Sequence, residues 1–182
     1  MASRMLILII LIIAILALGG IALSCNSSSP SDSTPQPQNA TDFTLPTLTG
    51  ANITLSELKG TPVVVNFWSI SCYWCRKQLP YLESVAQQSE GVIEVIAINI
   101  GQNASEVQDF FGDYEPTMIV ALDEDRGVFV NYCQNYSNTG GYIPFTLFVD
   151  SEGVIQYKRI GAFASEAELW NTLHSVFGIT IP

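Results

Sequence analysis

The stretch "NFWSISCYWCRKQLP", residues 66–80, holds two cysteines, Cys72 and Cys75, separated by two aromatic residues. Just before them, "PVVVNFW" (62–68) is a continuous apolar run, the mark of a strand buried on both faces. Just after them the pattern predicts a helix from about Tyr73 to Gln88. It turns Leu79, Leu82, Val85 and Ala86 inward, with Pro80 inside it and expected to kink it. Cys72 therefore falls where a buried strand ends and a helix begins, at the carboxyl edge of a sheet, where α/β proteins place their chemistry. Unpaired N–H groups and the helix dipole favour an anion there, so the Cys72 thiol should titrate below the ordinary range. Arg76 and Lys77 add positive charge nearby. The two-residue spacing brings Cys75 round one turn, close enough to Cys72 for a small disulfide.

Three uses of such a pair compete: a redox couple, half of a zinc site, or two buried inert thiols. A zinc site needs four ligands, usually two such pairs. The remaining candidates are Cys133, Cys25 and the single histidine, His174, which falls in a core-facing helix pattern. That shortage argues against zinc, and no metal is expected. Inert thiols this close together would oxidise outside the cytoplasm. The redox reading is preferred.

The location is read from the N-terminus. Arg4 precedes an almost unbroken apolar run from Met5 to Leu23, with no Lys or Arg just after it. This is enough chain for one bilayer-spanning helix, and the charge asymmetry sends the rest of the chain to the outer side. Residues 1–25 are read as a signal or transmembrane anchor. "IALSC" resembles a bacterial lipobox ending at Cys25, a candidate lipid attachment site, although Ala22 stands where leucine is usual. An uncleaved anchor and a lipoprotein signal both remain open. Residues 26–40, "NSSSPSDSTPQPQNA", cannot bury enough apolar surface to fold and are read as a disordered tether.

Residues 41–182 then make one domain of ordinary size. The chain has 182 residues, a net charge of −10 and only seven Lys and Arg, so no basic patch for a nucleic-acid backbone can be assembled. "DFTLPTLTGANITLSELKG" (42–60) predicts two short extended pieces around Thr49-Gly50, then one helical turn capped by Ser56. "VIEVIAINI" is a second buried strand, "SEVQDFFGDY" a second helix and "TMIVAL" a third strand, followed by a helix from Arg126 to Tyr132. "FTLFVD" and "GVIQYKRIGA" bracket a turn at Ser151-Glu152-Gly153, an antiparallel hairpin. A last helix opens at Ser165, with Glu168 completing a capping box, and buries Leu169, Leu173, Val176 and Phe177. The order β-α-β-α-β-α-β-β-α implies a mixed sheet with helices on both faces.

"VVVNFWSISCYWCRKQLP", followed by "YIPFTLFVDSEGVIQYKRIGA", resembles the thioredoxin superfamily, specifically its membrane-tethered TlpA/ResA-like thiol-disulfide oxidoreductases. The likeness covers about Thr41 to Gly178, and "DFTLPTLTGANITLSELKG" looks like that branch's N-terminal β extension. It implies a thioredoxin-like α/β fold with a redox-active Cys72–Cys75 disulfide. Ile143-Pro144 is then a cis peptide beside the pair, and Trp68, Tyr73, Trp74, Ile143 and Pro144 form the substrate site. Cys72 is expected to attack and Cys75 to resolve. The disulfide itself carries the electrons, so no organic cofactor or metal is expected. The implied partners are protein thiols and disulfides, among them oxidised apocytochrome c, with a membrane thiol relay as electron donor.

The sequence departs from that pattern in several places. Gln78 stands where the family's reductases often carry glutamate, and Asn66 where thioredoxin has a buried aspartate. Either Cys75 is activated by solvent, or an acid such as Glu83 reaches in; Gln78 reads equally well as a surface residue. Tyr73-Trp74 replaces the expected proline-containing dipeptide, as an apolar landing patch or as packing for the Ile143-Pro144 loop. "CQNYSNTGGYI" (133–143) is longer than the usual connection and is read as a flexible insertion at the substrate rim. Cys133 opens it and is read as a buried inert thiol, with a third redox role as the alternative. Two rival functions remain. One is a peroxiredoxin-like peroxidase, which normally has Thr where Ser69 stands. The other is a copper-binding chaperone of thioredoxin fold, for which His174 is badly placed.

Overall fold

The computed structural model describes residues 38–179. The anchor expected over 1–25 and most of the tether lie outside the described residues. Strand β1 (Gln38–Asn39) is followed by β2 (Thr44–Pro46), β3 (Asn52–Thr54) and a 3₁₀ turn (Leu55–Leu58). The main body then runs β4 (Val63–Trp68), α1 (Tyr73–Gln88), β5 (Glu94–Ile100), α2 (Ala104–Phe111), β6 (Ile119–Asp123) and α3 (Gly127–Asn135). It closes with β7 (Phe145–Val149), β8 (Val154–Ile160) and α4 (Glu166–Phe177). The six-stranded sheet has the order β1-β8-β7-β4-β5-β6, and β2 pairs with β3 as a separate ribbon. β4, β5 and β6 are parallel, whereas β7 pairs antiparallel with both β4 and β8.

The apolar run of β4 is buried at every position because the strand sits inside the sheet with both faces covered. Val63, Val65 and Phe67 point into a core shared with Phe129, Tyr132, Cys133 and Tyr136 of the α3 region and with Phe43, Leu45 and Leu55 of the N-terminal extension. Val64 and Trp68 point the other way, to Cys75, Leu79, Leu82 and Val85 of α1, Val107 of α2, and Leu169 and Leu173 of α4. This is the thioredoxin-like fold with the N-terminal β extension that the resemblance implied. No helix among the described residues is long and apolar enough to cross a membrane.

Some local expectations are corrected. The last tether residues are part of the fold: Gln38 and Asn39 pair with Ile155 and Val154, and Ala40 N–H donates to Gly153 C=O at 2.9 Å. Their backbone is recruited from afar, which polar composition does not signal. Ser56 does not cap its turn; its hydroxyl donates to Asp42 at 2.7 Å, and the same carboxylate accepts the Ser56 N–H. Ser165 does cap α4, but Glu168 accepts from Ala164 N–H and Arg159 rather than closing a reciprocal box. His174 is exposed, one position beyond the buried Leu173 and so turned off the core stripe. Val176 and Phe177 are half-buried against the core edge. Helix α3 runs three residues past Tyr132, so it includes Cys133.

Candidate active site

Cys72 is the N-cap of α1, with extended backbone, and its sulfur accepts the Cys75 N–H at 3.1 Å. It is joined to Cys75 by a disulfide, with Cα atoms 5.3 Å apart. The two sulfurs sit in different surroundings. Cys72 is half-buried at the surface, whereas Cys75 is only 1% exposed beneath the helix. The difference comes from the helix: the cap position projects off its end, and three residues later the side chain faces the sheet. Ile143 and Pro144 lie alongside, joined by a cis peptide bond, and Ile143 C=O is 3.8 Å from Cys72 Sγ.

Below the pair lies a buried polar cluster. Asn66 Nδ2 and Gln78 Nε2 both donate to Thr146 Oγ1, at 2.9 and 3.2 Å, while Gln78 Oε1 accepts from Phe163 N–H at 3.0 Å. Gln78 is therefore not a surface residue; it ties α1 to β7 and to the loop before α4. Thr146, which the sequence did not single out, is the hydroxyl that joins the two amides. Glu83 does not reach this cluster. Its carboxylate accepts from Thr117 N–H, Met118 N–H, Tyr114 Oη and Gln87 Nε2, clamping α1 to the segment before β6. The groups hydrogen-bonded into the cluster beneath Cys75 are thus neutral.

Trp68, expected at the substrate site, is fully buried. Its ring packs on Phe110 and Phe111 of α2, with centroids 5.3 and 5.9 Å away, because the alternation along β4 turns position 68 to the helix side. It supports the site from below and is not on its surface. Tyr73 and Trp74 are 55% and 63% exposed and meet edge to face at 5.1 Å, so they do not pack under the Ile143-Pro144 loop.

The insertion is not the flexible loop its Thr-Gly-Gly run suggested. Tyr136 is buried; its hydroxyl accepts the Thr41 N–H at 2.6 Å and donates to Asn39 C=O at 3.0 Å. Buried Asn138 grips Tyr142 twice, Nδ2 donating to its C=O at 2.8 Å and Oδ1 accepting its N–H at 3.0 Å. Cys133 packs in the core on the other side of the sheet from Cys75, and burial pushes its thiol up. We expect Cys133 to resist alkylation in the native reduced protein while Cys72 is labelled; mass spectrometry after a short iodoacetamide pulse checks this, and equal labelling would contradict it.

A parallel-cored mixed sheet with a CxxC disulfide at a helix cap beside a cis-proline loop defines a class, the thioredoxin-like thiol-disulfide oxidoreductases. The comparisons with known proteins agree. Residues 37–158 match the model of the AhpC/TSA family, and the chain belongs to that family. It is 30% identical over 132 residues to the thioredoxin-like protein YneN of Bacillus subtilis, covering 71% of this chain and 74% of that protein. It is 34% identical over 119 residues to the thiol-disulfide oxidoreductase ResA of the same organism, covering 64% of this chain and 63% of that one. Among solved structures, a putative thiol:disulfide interchange protein DsbE from Chlorobium tepidum shares the fold with a TM-score of 0.67 at 22% identity, over 78% of this chain and 97% of that one. StoA from Bacillus subtilis shares it with a TM-score of 0.56 at 24% identity, over 72% and 96%.

Proposed function

We propose that this chain is a membrane-tethered, extracytoplasmic reductase of protein disulfides, with Cys72 as nucleophile and Cys75 as resolving thiol. The observation that carries the roles is the contrast in access: a partner can reach the sulfur of Cys72 but not that of Cys75. In the reduced protein, the Cys75 N–H that now points at Cys72 Sγ would donate to the thiolate, and the start of α1 supplies the positive end of its dipole.

The Cys72 thiolate attacks one sulfur of a partner disulfide. A Cys72–partner S–S bond forms, the partner's bond breaks, and its other sulfur leaves as a thiolate that takes up a proton. Cys75 then loses its proton and attacks Cys72 Sγ. The Cys72–Cys75 bond forms and the second partner thiolate is released, so two electrons pass from the protein dithiol to the partner. Asn66, Gln78 and Thr146 are neutral and offer no base, so the proton of the buried Cys75 passes to the partner thiolate released in the first step. The electrons travel in the disulfide, and this chemistry needs no further cofactor. Ile143, Pro144, Tyr73 and Trp74 border the reacting sulfur and form the proposed partner site.

The Arg4-led apolar run supports tethering outside the membrane, through an uncleaved anchor or a lipid on Cys25. Supply of electrons by a membrane thiol relay, and oxidised apocytochrome c as the partner, rest on the TlpA/ResA-like sequence pattern alone. The test is the reduction potential of the Cys72–Cys75 pair in the full chain, from glutathione equilibria read by mass spectrometry. A value near about −270 mV supports the reductase, and one near about −120 mV makes the protein a disulfide donor and overturns it.

A further inference from the structure

Three of the four exposed aromatic side chains among the described residues flank one sulfur: Tyr73 and Trp74 directly follow Cys72, and Tyr142 directly precedes the Ile143 whose carbonyl touches Cys72 Sγ. Tyr142 is 66% exposed, yet it is held in place. Its backbone is clipped on both sides by the buried Asn138 amide. Its ring lies against Gly140 so closely that a Cβ there would be 2.1 Å from ring carbon Cε2. An aromatic side chain that is fixed but left uncovered presents rigid apolar area at little further entropic cost.

The same rim carries charge. Arg76 and Lys77 are exposed on the first turns of α1, and Lys77 Nζ sits 5.7 Å from the Tyr73 ring centroid. Among the described residues the one ion pair is Arg159 with Glu168, so neither Arg76 nor Lys77 is neutralised by a carboxylate. In a chain of net charge −10, two adjacent unpaired cations beside the reacting sulfur form a local complement to negative charge.

Building on the oxidoreductase reading, we propose that Tyr142, Tyr73 and Trp74 with Arg76 and Lys77 form a specificity rim that selects cysteines flanked by an aromatic residue and a carboxylate. Asn138 is the positioning residue that holds Tyr142 at this rim. The partner segment lies across Cys72 with its ring between the two sides of the rim and its carboxylate toward the start of α1. Its disulfide then meets the Cys72 thiolate and is reduced by the two-step exchange described above.

The test uses the reduced full-length chain and the homodimeric disulfides of three short peptides. In one the cysteine is flanked by phenylalanine and aspartate, in the second by phenylalanine and lysine, in the third by serine and aspartate. Each rate is normalised to the same protein's rate with bis(2-hydroxyethyl) disulfide, which is too small for the rim to grip. The phenylalanine–aspartate peptide should be favoured over each of the others by about three- to tenfold, the range exposed aromatic and charge contacts supply. Tyr142→Ala should remove the preference for phenylalanine, and Arg76→Glu combined with Lys77→Glu should invert the preference for aspartate. Asn138→Ala, read as the split between KM and kcat, should raise KM for the phenylalanine peptides. Equal normalised rates in the unaltered protein, or preferences that survive these substitutions, would overturn the rim. Failure to reduce even bis(2-hydroxyethyl) disulfide would overturn the oxidoreductase reading, and this one with it.

Discussion

With Cys72→Ser, reduction of protein disulfides by the full chain is expected to fall on the order of 10³-fold or more, because a neutral hydroxyl replaces the one accessible thiolate among the described residues. With Cys75→Ser the first step survives and the second does not. Cys72 sits at the surface and still attacks, but no thiol lies beneath it to displace the partner. The mixed disulfide should therefore accumulate. A disulfide-containing protein incubated with each reduced variant, quenched by alkylation and mapped by mass spectrometry, separates the two cases. Cys75→Ser should yield one covalent species linked through Cys72 and dissolved by dithiothreitol, while Cys72→Ser should yield none. An adduct mapped to Cys75 in the Cys72→Ser protein would reverse the assigned roles. A linkage through Cys133 in either variant would mean that the core around it opens.

The second large effect lies away from the chemistry. Glu83→Ala should lower stability by about 3 kcal/mol, because it removes a buried ionised acceptor and leaves the Thr117 and Met118 N–H groups without a partner. In urea this is a midpoint drop of about 1–2 M at an ordinary slope for a domain of this size. Glu83→Gln keeps an oxygen acceptor and should recover part of the loss. The pair also carries a pH signature. Burial pushes the Glu83 carboxyl up, but hydrogen bonds from Thr117, Met118 and Tyr114 more than offset it and hold the group below its ordinary value. A carboxyl lowered in the folded state contributes its stability above the unfolded pKa, about 4.3, and loses it as pH falls through the folded value. Unfolding midpoints measured from pH 7 downward should fall below about pH 4 in the unaltered protein, and that part of the slope should be missing in Glu83→Gln. Superimposable profiles would mean that the clamp does not titrate.

Glu83 also shows where reading along the chain stops. Its position on α1 is periodic and its burial can be guessed, but its acceptors' partners lie 31 to 35 residues away in a segment of irregular backbone. Gln78 is the same case in the cluster under the disulfide: it meets Thr146 and Phe163, 68 and 85 positions on. Nothing local to a glutamine on a helix separates that fate from a solvated one. Trp68 failed as a surface residue because its neighbours on α2 decide what covers the end of β4. The Asn138 grip on Tyr142 was hidden behind a Thr-Gly-Gly run whose composition is that of a mobile loop.

The layout and the chemistry were legible in the residues alone. The unbroken apolar strand, the helix after it and the CxxC spacing placed Cys72 and Cys75 at the carboxyl edge of a mixed sheet, and the family resemblance carried by those residues and the late Ile-Pro implied that the sheet is thioredoxin-like. These are short-range signals: hydrophobic periods of two and 3.6 residues, and a pair of thiols three positions apart. The folded arrangement was needed to decide which cysteine is accessible, which amides are buried beneath them, and which exposed rings surround the sulfur. Those properties belong to pairs of groups far apart in the chain. A buried polar side chain is stable only once its partner is in place, and a rim residue is identified only by what its neighbours leave uncovered.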